Sequence, residues 1–338
     1  MGSAEHTRLL IIGGGAAGYT AAIYTGRAGL KPICIEGYGS GGQIIRSPQV
    51  DNFPGFPGGV SGVDLAARMR EQAESFGTRM ILNDAISVDF GVRPFRVATD
   101  EHEFRADAVI VATGAYPRSL GLAAEEEFVG RGIAYCAVCD GAFFAGKRVT
   151  VVGGGDAAVG EALSLRKVAS SVTLIHRREE LRASTASQAA LAEASDITVL
   201  TPYTVAGING DDAQGVTGLT LSRVGDGETS TVDTDGLFVA IGHEPATSLF
   251  APWLETDRGW IVTQPGRTAT SMPGVFAAGE VSDVRYRQAI TAAAAGCAAA
   301  IDAERWLITL SGDATASVDA VAYAVHVAAG EPVVAGPR

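Results

Sequence analysis

Leu9-Leu10-Ile11-Ile12-Gly13-Gly14-Gly15-Ala16-Ala17-Gly18, near the start of a 338-residue chain, decides the fold. A short apolar run stops at a glycine turn, and helix-like residues follow from Tyr19 to Ala28. Pro32-Ile33-Cys34-Ile35-Glu36 is then a second strand ending on a carboxylate. Strand, glycine turn, helix, strand, acid is the βαβ fingerprint of dinucleotide binding. Gly13 permits the tight turn, Gly15 lets backbone approach a pyrophosphate, and Gly18 lets the helix sit close to the strand. The unpaired N–H groups at the helix start, around Ala16 and Ala17, face the phosphates. Glu36 lies where a ribose hydroxyl would be accepted.

The phrase recurs. Val149-Thr150-Val151-Val152 runs into Gly153-Gly154-Gly155-Asp156-Ala157-Ala158, then a helix-like stretch from Val159 to Ala169. The next strand, Val172 to Ile175, ends on His176-Arg177-Arg178 with Arg182 nearby, not on an acid. Arginines in that place suit a ribose 2′-phosphate, so this repeat is expected to take NADPH and the first FAD. Ala108 to Gly114, ending Ala112-Thr113-Gly114, and Leu237 to Gly242 are strands that end in glycine and suggest crossings between domains. Gly274 to Glu280 is one more strand, ending Gly279-Glu280, and a helix-like segment covers Arg287 to Leu310. The expected fold is α/β, with two Rossmann-like dinucleotide-binding domains, the second inserted in the first. Its boundaries are 1–116 and 245–311 for the FAD domain, 117–244 for the NADPH domain, and 312–338 for a C-terminal extension without assigned function. Gly37 to Gly62 is expected to be a long irregular connection over one face of a cofactor.

Between the glycine motifs stands Cys136-Ala137-Val138-Cys139-Asp140. Such a pair holds a disulfide open to exchange, and its thiols commonly have low pKa values. The chain has four cysteines, and these two alone are close in sequence, which in a reducing compartment indicates catalysis or metal binding rather than a structural staple. Zinc is not expected, because no further Cys or His lies at ligand spacing. A formal charge of −12 argues against nucleic acid or an anionic membrane as the main partner. No apolar run is long enough to span a bilayer and the first residues lack signal-peptide character, so the cytoplasm is the expected compartment.

The chain resembles the low-molecular-weight, bacterial-type thioredoxin reductases from Leu9 to about Leu310. The matching phrases are Gly41-Gly42-Gln43, Asn52-Phe53-Pro54-Gly55, Ala112-Thr113-Gly114-Ala115, Cys136 to Gly141, His176-Arg177-Arg178 and Tyr286-Arg287-Gln288-Ala289-Ile290. The resemblance implies a homodimer that reduces thioredoxin or a similar small protein, with domains that rotate about the crossings near Gly114–Pro117 and Gly242–Pro245. It implies that Cys139 faces the flavin, Cys136 attacks the partner's disulfide and Asp140 moves the proton. It further implies that Gly42, Gln43, Asn52 and the Arg287-Gln288-Ala289 backbone contact the flavin, and that Arg131, Phe143 and Phe144 dock the partner. Two positions depart from the pattern: Glu280 stands where an Asp is usual, and Ala157 where a hydroxyl or amide is common. A flavin-dependent oxidase of small dithiols shares the fold and the Cys pair but does not need the His-Arg-Arg cluster.

Overall fold

A computed structural model describes residues 4–311, so the expected extension over 312–338 lies outside the described residues. The described residues divide into two compact units: one takes 4–116 and 245–311, the other is Pro117–Glu244.

The first unit starts with β1 (Glu5–Ile12), whose Leu9, Leu10 and Ile11 are fully buried. It turns at Gly13 into α1 (Ala16–Arg27). Gly13 has φ +118°, and a Cβ there would strike the Ala112 carbonyl, so only glycine fits. Next come β2 (Ile33–Ile35), α2 (Gly62–Ser75), β3 (Arg79–Ile81), β4 (Ser87–Asp89), β5 (Phe95–Ala98) and β6 (Glu103–Val111). The crossing β7 (Ala115–Pro117) leads away.

The second unit holds β8 (Ile133–Ala134), α3 (Ala137–Asp140), β9 (Arg148–Val152), α4 (Asp156–Leu165), β10 (Ser171–Ile175), α5 (Thr185–Glu193) and β11 (Ile197–Leu200). An antiparallel sheet follows, of β12 (Tyr203–Asp211), β13 (Gly215–Arg223) and β14 (Thr229–Asp233), to which the sequence reading assigned nothing. Its Val216, Leu219 and Leu221 pack on Val152, Ile175, Leu237 and Val239, covering one face of the main sheet. Helices cover the other, through Ala158, Val159, Ala162, Leu165 and Leu191. β15 (Gly236–Val239) and the crossing β16 (His243–Pro245) end the unit. The chain then adds the hairpin β17 (Thr256–Asp257) and β18 (Trp260–Ile261), β19 (Val275–Ala277) and α6 (Ala289–Ser311) to the first unit.

Each main sheet is parallel at its centre, in the orders β3-β2-β1-β6-β19 and β11-β10-β9-β15-β8. The registers decide where function can sit. Ile35, Ile12, Val111 and Ala277 lie level, so Glu36, Gly13, Ala112 and Ala278 leave the first sheet at one edge. In the second, Leu200, Ile175, Val152 and Val239 lie level, and Ala134 stands opposite Phe238. Gly153, His176 and Cys136 therefore emerge along one edge too. The carboxyl edge of an open parallel sheet is where ligands bind.

Several expected boundaries move. The helices expected from Tyr19 and Val159 begin at Ala16 and Asp156, directly after the glycine turns. α4 ends at Leu165, and Lys167 to Ala169 close as turns on Ser164 and Leu165. α6 starts after Arg287, whose φ of +49° is not helical. The connection from Gly37 to Gly62 is less irregular than expected. It contains a 3₁₀ helix (Gly42–Arg46) and a bridge between Val50 and Val60, and Gly62 N donates to Ser47 O at 3.0 Å.

α6 lies against α1 through Ala17, Ala21, Ala299, Ala300 and Ala303, and a Cβ on Gly296 would collide with the Ala17 carbonyl. Gly296→Ala is therefore expected to cost about 1–3 kcal/mol by overpacking. A thermal melt should show the midpoint falling by several degrees, and an unchanged midpoint would contradict the close approach.

Candidate active site

The first edge is shaped for a dinucleotide. α1 has Gly15 as its N-cap, no side chain caps it and no acid stands in its first turn. Its first N–H groups are thus left for an anion. A Cβ on Gly15 would meet only the Gly42 Cα, at 3.9 Å, so the space over the turn is open and would take a pyrophosphate. Gly18 differs: a Cβ there would strike the Gly13 carbonyl, so Gly18 serves packing. Ala16 and Ala17 are buried in the same turn. Gly41 N donates to Gly14 O at 2.6 Å, which brings Gly42 and Gln43 beside the turn, while Asn52 stands exposed in the bend after Val50. Thr113 Oγ1 donates to Ala246 O at 2.8 Å and Ala246 N to Gly114 O at 3.0 Å, so Ala112-Thr113-Gly114 is anchored where the chain returns.

Glu36 does not stand alone. Its side chain is wholly buried, and Tyr19 Oη donates to Oε1 at 2.7 Å. Arg70, from α2, forks onto both oxygens at 2.8 and 3.0 Å. Burial, then the Glu36 hydrogen bond, pushes the Tyr19 phenol well above its ordinary range. Neither Tyr19 nor Arg70 was singled out as a site residue from the sequence. Glu280 follows Gly279 in a 3₁₀ turn, where burial pushes its carboxyl up to about 7 against the opposing pull of Arg287. Near neutral pH it can donate as well as accept. The Arg287-Gln288-Ala289 turn is pinned by Asp283, whose carboxylate accepts from the N–H groups of Arg285, Tyr286 and Arg287 at 2.8, 2.9 and 3.0 Å. Thr291 Oγ1 closes the turn on Gln288 O at 3.0 Å.

The second edge repeats the cradle. Gly155 caps α4 with no side-chain cap, and a Cβ on Gly155 would meet nothing within 4 Å. Ala157 is exposed, but Ala158 is fully buried and faces the core rather than a ligand. Arg177, Arg178 and Arg182 are exposed and, among the described residues, none is in an ion pair. His176 is buried against Gly154, with Nε2 lacking a hydrogen-bond partner among the described residues. Burial and then Arg182, Arg178 and Arg177 lower its pKa, so it stays neutral beside the arginines.

Cys136 and Cys139 form a disulfide, with Cα atoms 5.3 Å apart. Cys136 is the N-cap of α3, and its Sγ accepts from Cys139 N at 3.2 Å. That hydrogen bond would favour the thiolate on Cys136 after reduction. Asp140 ends α3, and burial pushes its carboxyl up to about 6, a range suited to proton transfer near neutrality. Of the flanking residues, Val138 (73% exposed) and Phe143 (40%) form an apolar rim. Phe144 turns the other way, packing edge-on against Phe238 at 5.0 Å, so it belongs to the core and not to a docking face. Arg131 pairs with Asp212 at 3.0 Å.

Known proteins agree with this geometry. The family described as pyridine nucleotide-disulphide oxidoreductase matches residues 7–296. The thioredoxin reductase of Coxiella burnetii is 47% identical over 319 residues, covering 92% of this chain and 99% of that protein. A Pseudomonas fluorescens protein named glucosaminate ammonia-lyase is also 47% identical, over 90% of this chain and 96% of its own. The solved thioredoxin reductase of Giardia duodenalis superposes with a TM-score of 0.85 at 40% identity, over 90% of this chain and 99% of that one.

The Asp140 carboxyl also shapes stability against pH. Its folded pKa is raised from 3.8 to about 6, so the protonated form is the one folding favours. The resulting stabilisation is complete below pH 3.8 and is lost as pH rises through about 6. Asp140→Asn is expected to be more stable than wild type at pH 7.5 by about 1–3 kcal/mol, a gain that shrinks as pH falls from about 6 and is nearly gone at pH 3.8. Urea unfolding at both pH values checks this, and a gain independent of pH would contradict the burial of Asp140.

Proposed function

The chain belongs to the pyridine nucleotide-disulphide oxidoreductase family, in its thioredoxin reductase branch, and from that premise we propose that it carries electrons from NADPH, through FAD and the Cys136–Cys139 pair, to the disulfide of thioredoxin. The observation that carries this reading is the disulfide itself, placed on the same sheet edge as the second glycine turn and rimmed by exposed Val138 and Phe143.

FAD, when bound, supplies two-electron exchange between a nicotinamide and a disulfide. The residues that would hold its pyrophosphate are Gly13, Gly15 and the start of α1. Glu36 with Arg70 would serve the adenosine end, and Gln43, Glu280 and the Arg287–Ala289 turn the flavin end. NADPH would lie with its pyrophosphate on the start of α4 and its 2′-phosphate among Arg177, Arg178 and Arg182.

The protein chemistry then runs through three side chains. The Cys136 thiolate, favoured by the Cys139 N–H, attacks one sulfur of the partner's disulfide. A mixed disulfide forms and one partner thiolate leaves. The Cys139 thiolate attacks Cys136 Sγ, which restores the Cys136–Cys139 bond and releases the second partner thiol. Asp140, with its raised pKa, supplies the proton that a departing thiolate takes up.

A dithiol turned to a protein substrate cannot also face the flavin, so the inserted unit must swing. Gly114 (φ +70°) and Gly242 (φ +107°) flank the crossings and are the proposed hinge. The homodimer and the cytoplasmic compartment belong to the same proposal. No helix among the described residues is long and apolar enough to cross a membrane.

The exposed arginine cluster favours a reductase over a dithiol oxidase, because an oxidase taking electrons from a dithiol has no use for a 2′-phosphate site. Elimination of ammonia is redox-neutral and uses neither a disulfide nor a second nucleotide site.

A coupled assay of NADPH consumption with thioredoxin and a chromogenic disulfide tests the reading. Wild type should turn over, while Cys136→Ser should keep its flavin and lose disulfide reduction by about three orders of magnitude or more. Turnover of the protein disulfide by Cys136→Ser would overturn the assignment of the nucleophile.

A further inference from the structure

The basic loop after β10 is fastened to the glycine turn at two places. Arg182 N donates to Gly154 O at 2.6 Å. Two residues on, Asp156 Oδ1 accepts from Ser184 N at 2.9 Å, from Ser184 Oγ at 2.6 Å and from Ser187 Oγ at 2.6 Å. Ser184 is also the N-cap of α5, its Oγ accepting from Ser187 N at 3.3 Å. One carboxylate oxygen on the first residue of α4 thus ties down the start of α5 and, with it, the end of the arginine loop. The Ser184 and Ser187 hydrogen bonds hold the Asp156 pKa down to about 2, so the tie stays charged across the neutral range.

Asp156 stands in the glycine turn that the sequence assigns to NADPH, and its Oδ1 is committed to the loop. We propose that Asp156 is a positioning residue for nucleotide selectivity, holding Arg177, Arg178 and Arg182 in register with the start of α4. This inference rests on the NADPH reading above.

The physical case is one of spacing. In NADPH the 2′-phosphate and the pyrophosphate are joined through one ribose, so their two binding places must keep a fixed separation. Those places lie on different stretches of chain, the α4 N-terminus and the loop from Arg177 to Arg182. Guanidinium–phosphate hydrogen bonds are directional and lose strength when the fork is misaligned. The loop also carries exposed Glu179 and Glu180 between its arginines, ready partners if it were free to collapse. Tethered as it is, none of the three arginines is in an ion pair among the described residues. The tie also engages the Asp156 Oδ1 with the hydroxyls of two serines. NADH lacks the 2′-phosphate, so its binding draws on the α4 turn without the loop.

The test follows flavin bleaching in the absence of oxygen as a function of NADPH or NADH concentration, with no partner protein present. Asp156→Ala should raise the half-saturating NADPH concentration about tenfold, the scale of one misaligned charge-assisted contact, and NADH by less than about twofold. The Ser184→Ala/Ser187→Ala double variant should show the same loss of preference, and Asp156→Asn, which retains an acceptor oxygen, a smaller one. Flavin content and thermal midpoint identify any variant that has merely lost its fold. An equal weakening of both nucleotides, or an unchanged ratio in both Asp156→Ala and the double serine variant, would overturn the inference. Wild type bleached by neither nucleotide would remove the NADPH reading and this inference with it, which separates the two failures.

Discussion

The main-chain contact at each glycine turn is the interaction on which everything else depends. In the first unit the Gly13 carbonyl lies where a Cβ of Gly18 would be, and in the second the Ala240 carbonyl lies where a Cβ of Gly153 would be. Those approaches let each helix begin directly at the end of its strand. The helix N-termini then open, uncapped, onto the carboxyl edge of a parallel sheet. Because the registers bring Glu36, Ala112 and Ala278 to the first edge and His176 and Cys136 to the second, the chemistry collects there by topology.

Charge is then distributed differently at the two edges. At the first, the Glu36 carboxylate is buried and neutralised by Arg70, so the negative charge is held inside the fold. At the second, cations are exposed and the buried imidazole of His176 is kept neutral among them. That difference in charge is what the proposed placing of a phosphate-bearing ribose at the second edge rests on. Two carboxyls, Asp140 and Glu280, are raised toward neutrality by burial, one beside the sulfurs and one in the turn after β19. Groups poised near neutral pH in such places suit proton movement coupled to electron transfer.

Legibility in the sequence followed locality. The glycine turns and the Cys pair could be read because their requirements are met within a few consecutive residues. The arginine cluster could be read because it directly follows a strand whose usual acid it replaces. Arg70 and Asp156 could not be assigned their roles, since their partners are 34 and 28 residues away and only the fold brings them together. Phe143 and Phe144 are adjacent and chemically alike, so only the backbone decides which faces the core. The sheet from Tyr203 to Asp233 went unread because its outer strands β12 and β14 are largely exposed, and the buried residues of the central β13 fall in pairs rather than in strict alternation. The helix starts were placed late because small residues after a glycine turn, Ala16 and Ala157 among them, carry no strong helical pattern of their own.

The central claim is that one chain stores electrons in both a flavin and the Cys136–Cys139 disulfide. Anaerobic reductive titration of the purified flavoprotein measures this directly. Wild type should take up two electron pairs per chain, and Cys136→Ser or Cys139→Ser only one. Saturation of the wild type after a single pair, with the disulfide still intact, would contradict the relay.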